Sequence, residues 1–179
     1  MEQSPETIYQ AFAHYAKLLS KLFIGLPKRF HPRLVEIREG LPLLFRPEYP
    51  WVLNHDDLLE MNIHVDEETG HITGIRDWSD AFVGPFGMSL GGLETVLGVQ
   101  TSSCWYYHPS HKYLREQFWE SFYKVVGDLS EDDRGAIEIA RLFGLFRMHG
   151  FDRRAEAKDA APVKEDDPGF ARLEAFCLR

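Results

Sequence analysis

The sequence has little cysteine, no long hydrophobic run and no excess of basic residues, and each shortage excludes a class of protein. Cys104 and Cys177 are the only two cysteines in 179 residues. The two cysteines therefore form neither a disulfide scaffold nor a zinc site, and we expect the protein to reside in a reducing compartment. No apolar run approaches the roughly 18 to 20 residues that a membrane span needs. Residues 1–10 lack the basic and then apolar segments of a signal peptide, so we predict a soluble cytoplasmic protein.

The charge balance is acidic, with a formal net charge of -8. This balance argues against nucleic acid or an anionic membrane as a partner, and it is compatible with a small cationic molecule. The composition, 44% hydrophobic and 27% charged, is that of an ordinary globular protein. The length predicts one domain over residues 1–179.

Apolar residues recur at helical spacing in most of the chain, and the predicted fold class is α+β and predominantly α-helical. Helices are expected over about 5–24, 32–40, 89–99, 111–126, 131–149 and 170–178. In the fourth of these, Leu114, Phe118, Phe122 and Val125 are expected to face inward. Residues 82–87 and 100–110 are predicted loops, and the charged, alanine-rich stretch 152–168 is predicted to be a mobile loop.

One hairpin is inserted among these helices. Two short β-branched runs, 62–65 and 71–75, flank a polar turn, as in an antiparallel hairpin. Asn62 and Asp77 then meet at the open end, and the polar residues 55–57 lie near that end. Such a group of side chains could hold a hard cation and orient a hydroxyl.

The order His55-x-Asp57-Leu58-x-x-x-Asn62, then a hairpin, then Ile75-x-Asp77-Trp78 resembles the catalytic core of the aminoglycoside phosphotransferase and choline kinase group. These proteins are relatives of the protein kinases. The sequence is most similar to fungal members of the group, which share VLNH at 52–55, GHITGI at 70–75 and PFGMSL at 85–90.

This resemblance implies a kinase that uses ATP and Mg²⁺ to phosphorylate a hydroxyl of a small molecule. It implies that Asp57 orients or deprotonates the acceptor hydroxyl and that His55 supports the loop. Asn62 and Asp77 would hold Mg²⁺ on the nucleotide phosphates. Phosphoryl transfer needs in-line positioning and cations to neutralise charge, which this set of residues could supply. One amide and one carboxylate suit Mg²⁺ because this ion keeps several waters.

The first departure from the family pattern is Asp56, where the family usually has glycine. Aspartate tolerates a positive φ better than most residues, yet it adds a negative charge beside Asp57. Arg76 either offsets that charge or points to solvent.

The second departure is the missing N-terminal lobe. The residues before His55 read as helices, with no glycine-rich loop between strands and no strand lysine. Lys17, Lys21 and Lys28 lie on or just after the first helix and do not replace that lysine. The resemblance therefore implies a kinase-like C-terminal lobe alone, and an incomplete kinase. The alternative is a truncated, non-catalytic binding or regulatory module of pseudokinase type, whose open cleft is covered by self-association or by a partner.

Other polar and aromatic residues have simpler interpretations. Asp80 and Glu94 are interpreted as solvated carboxylates, and His64 and His71 are two histidines without a third metal ligand. The aromatic residues 105–107 are expected to fill an edge of the core. The acidic run 165–167 is expected to be a solvated loop.

Overall fold

A computed structural model describes residues 3–101, 104–152 and 161–178, and it confirms an α+β chain that is mainly helical. The helices are α1 (Pro5–Gly25), α2 (His31–Gly40), α3 (Leu93–Val96), α4 (His111–Val126), α5 (Glu131–His149) and α6 (Phe170–Cys177). The strands are β1 (Trp51–Asn54), β2 (Ile63–Val65), β3 (Ile72–Ile75), β4 (Phe82–Pro85), β5 (Gly98–Gln100) and β6 (Trp105–Tyr107). They form three antiparallel pairs, β1–β4, β2–β3 and β5–β6. No helix in the described residues is long and apolar enough to cross a membrane.

The longer helices begin where capping residues predict. Ser4 precedes α1, its hydroxyl accepts a hydrogen bond from the Thr7 N–H at 3.1 Å, and Pro5 occupies the first turn. Before α5, Ser130 and Asp133 form a reciprocal capping box. These bonds satisfy N–H groups that have no partner within the helix, which explains why the predicted starts are confirmed.

Helix α5 forms the centre of the core. Phe143, Leu145 and Phe146 are fully buried, and they share one core cluster with Leu22 of α1 and Leu173 of α6. The segment Met88–Gly92, a 3₁₀ turn, packs closely on α5. This packing fixes the segment that follows β4 against the middle of the core.

The close contact between α5 and the 3₁₀ turn requires a glycine at Gly144. A Cβ there would overlap the carbonyl group of Met88, which is backbone and cannot rotate away. We expect Gly144→Ala to lower the free energy of unfolding by about 1–3 kcal/mol, the usual cost of overpacking. Urea unfolding measures this change.

Gly135→Ala is the matched control, because Gly135 lies on the same helix with its nearest neighbour 4.0 Å from the added Cβ. The alanine should stabilise the helix there by about 0.5–1 kcal/mol. Equal changes in the free energy of unfolding for Gly144→Ala and Gly135→Ala would contradict the close packing of α5 on the 3₁₀ turn.

The segment 82–87 was predicted to be a loop, and this is wrong for residues 82–85. Phe82–Pro85 is strand β4, and it pairs with β1 in a register that joins Trp51 to Pro85 and Leu53 to Val83. The partner lies about thirty positions earlier, so the local pattern of Gly84 and Pro85 gave no sign of it. Pro85 is tolerated because it ends a strand in a two-stranded ribbon.

The interpretation of residues 89–110 also needs correction. The predicted helix 89–99 is a 3₁₀ turn followed by the short helix α3. Residues 98–100 pair with residues 105–107 as a β-hairpin, where the end of a helix and a loop were predicted. Trp105 draws β6 against the core, with its ring 4.9 Å from that of Phe176. Trp105 is buried, as expected for a core edge, whereas Tyr106 is exposed.

Helix α4 has the predicted bounds, but only half of its predicted inward face is turned inward: Phe118 and Phe122 are half-buried, whereas Leu114 and Val125 are exposed. No residue of α4 is buried, and Leu114 and Val125 are 41% and 85% exposed. Phe122 stacks on Phe86 at 6.2 Å, and Arg115 pairs with Glu94. The periodicity correctly predicted a helix. Its apolar stripe stays largely exposed because the contacts that hold α4 are aromatic stacking and the Arg115–Glu94 ion pair.

The predicted mobile loop 152–168 is only partly described, because residues 153–160 lie outside the described residues. At its two ends, the N–H of Asp152 donates to the carbonyl of Ala161 at 2.8 Å and that of Val163 to Gly150 at 3.0 Å. The acidic run is largely exposed, and Glu165 pairs with Arg29.

Candidate active site

Strand β1 leads into the polar loop 55–57, and Asn54 and Ser89 fix where that loop begins. Asn54 is buried, and its Nδ2 donates to the carbonyls of Gly84 and Pro85 at 3.2 Å each. The backbone N–H of His55 donates to Ser89 Oγ at 2.8 Å. Sequence reasoning assigned neither residue a role. For Asn54, the available signal in the sequence was a polar residue placed directly after the apolar run 51–53.

The His55 ring joins the loop to the residue before Asp77. Its Nδ1 accepts the N–H of Asp57 at 3.2 Å, so Nε2 carries the proton and donates to the carbonyl of Arg76 at 2.8 Å. The ring is buried and packs edge-on against Trp78 at 4.8 Å. These contacts support the loop and leave neither ring nitrogen facing a substrate.

Asn62 lies between the loop and the hairpin. Its Nδ2 donates to the backbone carbonyl of Asp57 at 2.8 Å, and its own carbonyl accepts the N–H of Arg76 at 3.0 Å. The predicted hairpin is confirmed, with Ile63 opposite Ile75. The amide nitrogen is a hydrogen-bond donor, so within the side chain it is the oxygen of Asn62 that can ligate a cation.

Asp77 follows β3 in the left-handed conformation, with φ 61° and ψ 62°. It is the one residue other than glycine with positive φ in the described residues. Such a conformation is strained and is concentrated at functional sites. The carboxylate is exposed at the open end of the hairpin, where its Oδ1 accepts a hydrogen bond from the Ser79 hydroxyl at 2.8 Å. Hydrogen bonds therefore join the backbone of Asp57 to Asn62 and, through the His55 ring, to Arg76, the residue before Asp77, at one end of the hairpin.

Asp56 does not need a glycine-like backbone, since its φ is not positive. Its carboxylate lies 2.7 Å from the guanidinium of Arg147 on α5, and the two side chains are only 21% and 23% exposed. The guanidinium also lies 3.9 Å above the ring of Phe82. Arg147 thus offsets the charge of Asp56, whereas Arg76 is exposed, which was the second of the two alternatives for that residue. Arg147 was missed because 91 positions separate it from Asp56.

Two residues of α1 lie in the field of the Asp56–Arg147 pair. Burial raises the pKa of Tyr15 to about 12, with Arg147 opposing and Asp56 adding to that effect. The Tyr15 hydroxyl is therefore protonated at neutral pH, and it donates to the sulfur of Met88 at 3.4 Å. Burial, assisted by the charge of Arg147, lowers the pKa of His14.

The donor set fits Mg²⁺ better than a transition metal. Among the described residues, no group of three or more His, Cys, Asp or Glu is arranged to hold a metal ion. His64 and His71 are exposed. Asn62 and Asp77 offer an amide and a carboxylate oxygen, and Mg²⁺ commonly binds through one or two such groups together with phosphate oxygens and water.

Glu94 is not the solvated carboxylate that was predicted. It is buried, and both of its oxygens are bonded by Arg115, at 2.8 and 2.7 Å, while the Tyr107 hydroxyl donates to it at 2.9 Å. The pairing raises the pKa of Arg115. Asp80, by contrast, is exposed, as predicted. Glu94 holds α4 and β6 together and takes no part in the site.

The chain is an α+β domain in which hydrogen bonds join the loop 55–57 to the β2–β3 hairpin. Asp77, in the left-handed backbone conformation, directly follows this connection. A sequence model of the phosphotransferase enzyme family matches residues 6–122, more than half of the chain. The chain belongs to this family, which confirms the predicted resemblance to aminoglycoside phosphotransferases. No curated protein and no solved structure matches the chain.

Proposed function

We propose that the chain is part of a small-molecule kinase that transfers phosphate from ATP, with Mg²⁺, to a hydroxyl group. The observation that carries this proposal is that hydrogen bonds join the backbone of Asp57 to Asn62 and, through His55, to Arg76, the residue before Asp77. Membership of the phosphotransferase family supports the reaction class. The net charge of -8 favours a small acceptor over nucleic acid.

Each residue has a distinct role in this proposal. The Asp57 carboxylate orients the acceptor hydroxyl and accepts its proton as the oxygen attacks. The side-chain oxygens of Asn62 and Asp77 would hold Mg²⁺, and the bound ion would neutralise charge on the phosphates. His55 is a positioning residue. The hydrogen bonds of its ring hold the backbone of Asp57 against that of Arg76, the residue before Asp77.

We further propose that residues 3–178 form the C-terminal lobe of a kinase-like fold. Between Gln3 and Pro50, the described chain forms α1, α2 and turns, without a strand. A strand lysine and a phosphate-covering loop would therefore come from residues outside this set, and binding by the chain alone should be weak. A cytoplasmic location, which supplies ATP, is part of the proposal.

Calorimetry with ATP tests this function. Heat of binding is expected when Mg²⁺ is present and should disappear when EDTA removes it, because Asn62 and Asp77 contact the nucleotide only through the cation. Binding that is unchanged by EDTA would contradict the assigned roles. No saturable binding under either condition would favour a non-catalytic module.

The second candidate function is such a binding module, and the exposed surface around the site favours it. Seven large apolar side chains on the β2–β3 hairpin, the β1–β4 ribbon and the adjoining 3₁₀ turns are exposed: Leu53, Met61, Val65, Ile72, Ile75, Trp78 and Val83. Monomeric proteins seldom expose so many together. A second copy of the chain, or a partner domain, would remove this surface from water.

Self-association through this surface gives a direct prediction. Leu53 and Val83 are directly paired in the ribbon and are 56% and 40% exposed. We expect sedimentation equilibrium to show concentration-dependent dimers for the wild type and to show monomers for Leu53→Ser/Val83→Ser. Val125→Ser on α4, where the side chain is 85% exposed, should leave the dimer intact. A wild type that is monomeric at all concentrations would contradict this prediction.

A further inference from the structure

The carboxylate of Asp77 is held by a side chain that follows it closely in the sequence. The hydroxyl of Ser79 donates a hydrogen bond to Asp77 Oδ1 at 2.8 Å. Hydrogen bonds to an ionised carboxylate are shorter and stronger than those between neutral groups. The bond therefore favours one direction of the Asp77 carboxylate over the others that its side chain could adopt.

The position of Ser79 is itself fixed by the 3₁₀ turn Trp78–Asp80 in which it lies. The indole N–H of Trp78 donates to the carbonyl of Ile75 at 2.9 Å, at the end of β3. The ring of Trp78 packs edge-on against the buried ring of His55 at 4.8 Å. These contacts fasten the turn to the hairpin and to the loop 55–57, so the Ser79 hydroxyl is presented from a fixed backbone.

The side chain of Asp77 is exposed, and an exposed aspartate ordinarily moves among several staggered rotamers. That freedom is lost when the carboxylate binds a cation, and the loss lowers the affinity. A partner that confines the carboxylate before binding removes part of this cost. Ser79 is such a partner, because its hydrogen bond is present in the chain without a cation.

An equivalent bond at the other end of the hairpin shows what is particular to Asp77. There, the hydroxyl of Thr69 donates to Asp66 Oδ1 at 2.7 Å, and both residues are exposed. The backbone N–H of Thr69 donates to the same oxygen at 2.8 Å, so the turn holds Asp66 even without the hydroxyl. Among the described residues, Asp77 has no corresponding backbone bond and depends on the hydroxyl of Ser79.

We propose that Ser79 is a positioning residue that holds the Asp77 carboxylate in the orientation that binds Mg²⁺. This role rests on the proposed function, in which Asp77 is a ligand of the ion. Ser79 acts through Asp77 and not by contact with the ion. Loss of a group that orients a metal ligand commonly weakens metal binding about 10- to 100-fold. The lower end is expected here, because both residues are exposed and water can partly replace the hydroxyl.

The rotamer of Asp77 in the metal-free chain tests the positioning directly. Three-bond NMR couplings across χ1 of Asp77 should show one dominant rotamer in the wild type and averaged values in Ser79→Ala. Ser79→Thr keeps a hydroxyl and should keep the dominant rotamer. Averaged couplings in the wild type, or a single rotamer that survives in Ser79→Ala, would overturn the proposal.

Calorimetry with ATP at fixed Mg²⁺ tests the consequence for binding on the full chain. Ser79→Ala should weaken binding about tenfold, whereas Ser79→Thr should bind as the wild type does. Thr69→Ala is the matched control, because it removes an exposed hydroxyl that donates to a carboxylate away from the site. Equal weakening in Ser79→Ala and Thr69→Ala, or full affinity in Ser79→Ala, would overturn the role of Ser79.

A further comparison separates this proposal from the proposed function on which it rests. Absence of binding in the wild type would overturn the proposed function and, with it, the role of Ser79 towards Mg²⁺. Binding that is weakened in Asp77→Asn but unchanged in Ser79→Ala would retain Asp77 as a ligand and overturn the role of Ser79 alone. Weakening in both variants, with recovery in Ser79→Thr, is the result that the proposal predicts.

Discussion

Replacing Arg147 by methionine should lower the free energy of unfolding by about 3 kcal/mol, the lower end of the cost of breaking a buried ion pair. The Asp56 carboxylate is 21% exposed and would lose the guanidinium 2.7 Å away. The variant also loses the cation above the ring of Phe82. Methionine keeps much of the apolar stem, so the loss reports the charge more than the packing. Urea unfolding at neutral pH measures the change.

Arg141→Met is the matched control on the same helix. Arg141 pairs with Glu138 one turn away, and that carboxylate is 46% exposed. Such a pair contributes about 0.3–0.5 kcal/mol, so this variant should have a much smaller effect. Equal losses of unfolding free energy for Arg147→Met and Arg141→Met would contradict a larger contribution from the Asp56–Arg147 pair.

The double variant Asp56→Ala/Arg147→Met separates the pair from its surroundings. If the two groups stabilise each other, the double variant should be less destabilised than the sum of the single variants. Additive losses would contradict direct coupling.

Replacing Asp77 by asparagine should weaken the binding of Mg²⁺ and ATP by about 100-fold or more. Loss of even a supporting group commonly costs metal affinity about 10- to 100-fold, and Asp77 is the one carboxylate proposed as a ligand. Asparagine tolerates the positive φ at this position, so the fold should be retained. Calorimetry with ATP at fixed Mg²⁺ measures the loss.

Asp80→Asn provides the control for Asp77→Asn. Asp80 is an exposed carboxylate three residues further along, in the 3₁₀ turn Trp78–Asp80. The two substitutions change the net charge equally, so a general electrostatic effect would weaken binding in both. Unchanged binding in Asp77→Asn, or equal weakening in the two variants, would contradict the assigned role of Asp77.

The sequence predicted those elements that depend on neighbouring residues. The β2–β3 hairpin follows from alternation and a polar turn, and the start of α5 from the pattern at Ser130 and Asp133. The juxtaposition of Asn62 and Asp77 then follows from antiparallel pairing alone. For the same reason, the end of the hairpin at which the candidate site lies could be predicted before the fold was known.

Features that depend on distant residues could not be predicted in this way. Strand β4 is a strand because β1 pairs with it, and Glu94 is buried because Arg115 and Tyr107 neutralise and bond it. The compensation of Asp56 by Arg147 joins residues from the two halves of the chain. In each case the partner that pairs with the residue or strand is distant in sequence and is visible only in three dimensions.

The most direct test of the proposed site is to locate the cation by paramagnetic NMR. Substoichiometric Mn²⁺, added with saturating ATP to ¹⁵N-labelled protein, broadens the signals of nearby amides. The Asn62 side-chain amide and the backbone amides of Asp57 and Asp77 should broaden first. Broadening centred on another acidic segment, such as residues 131–133, or no selective broadening, would contradict the claim that Asn62 and Asp77 hold the metal.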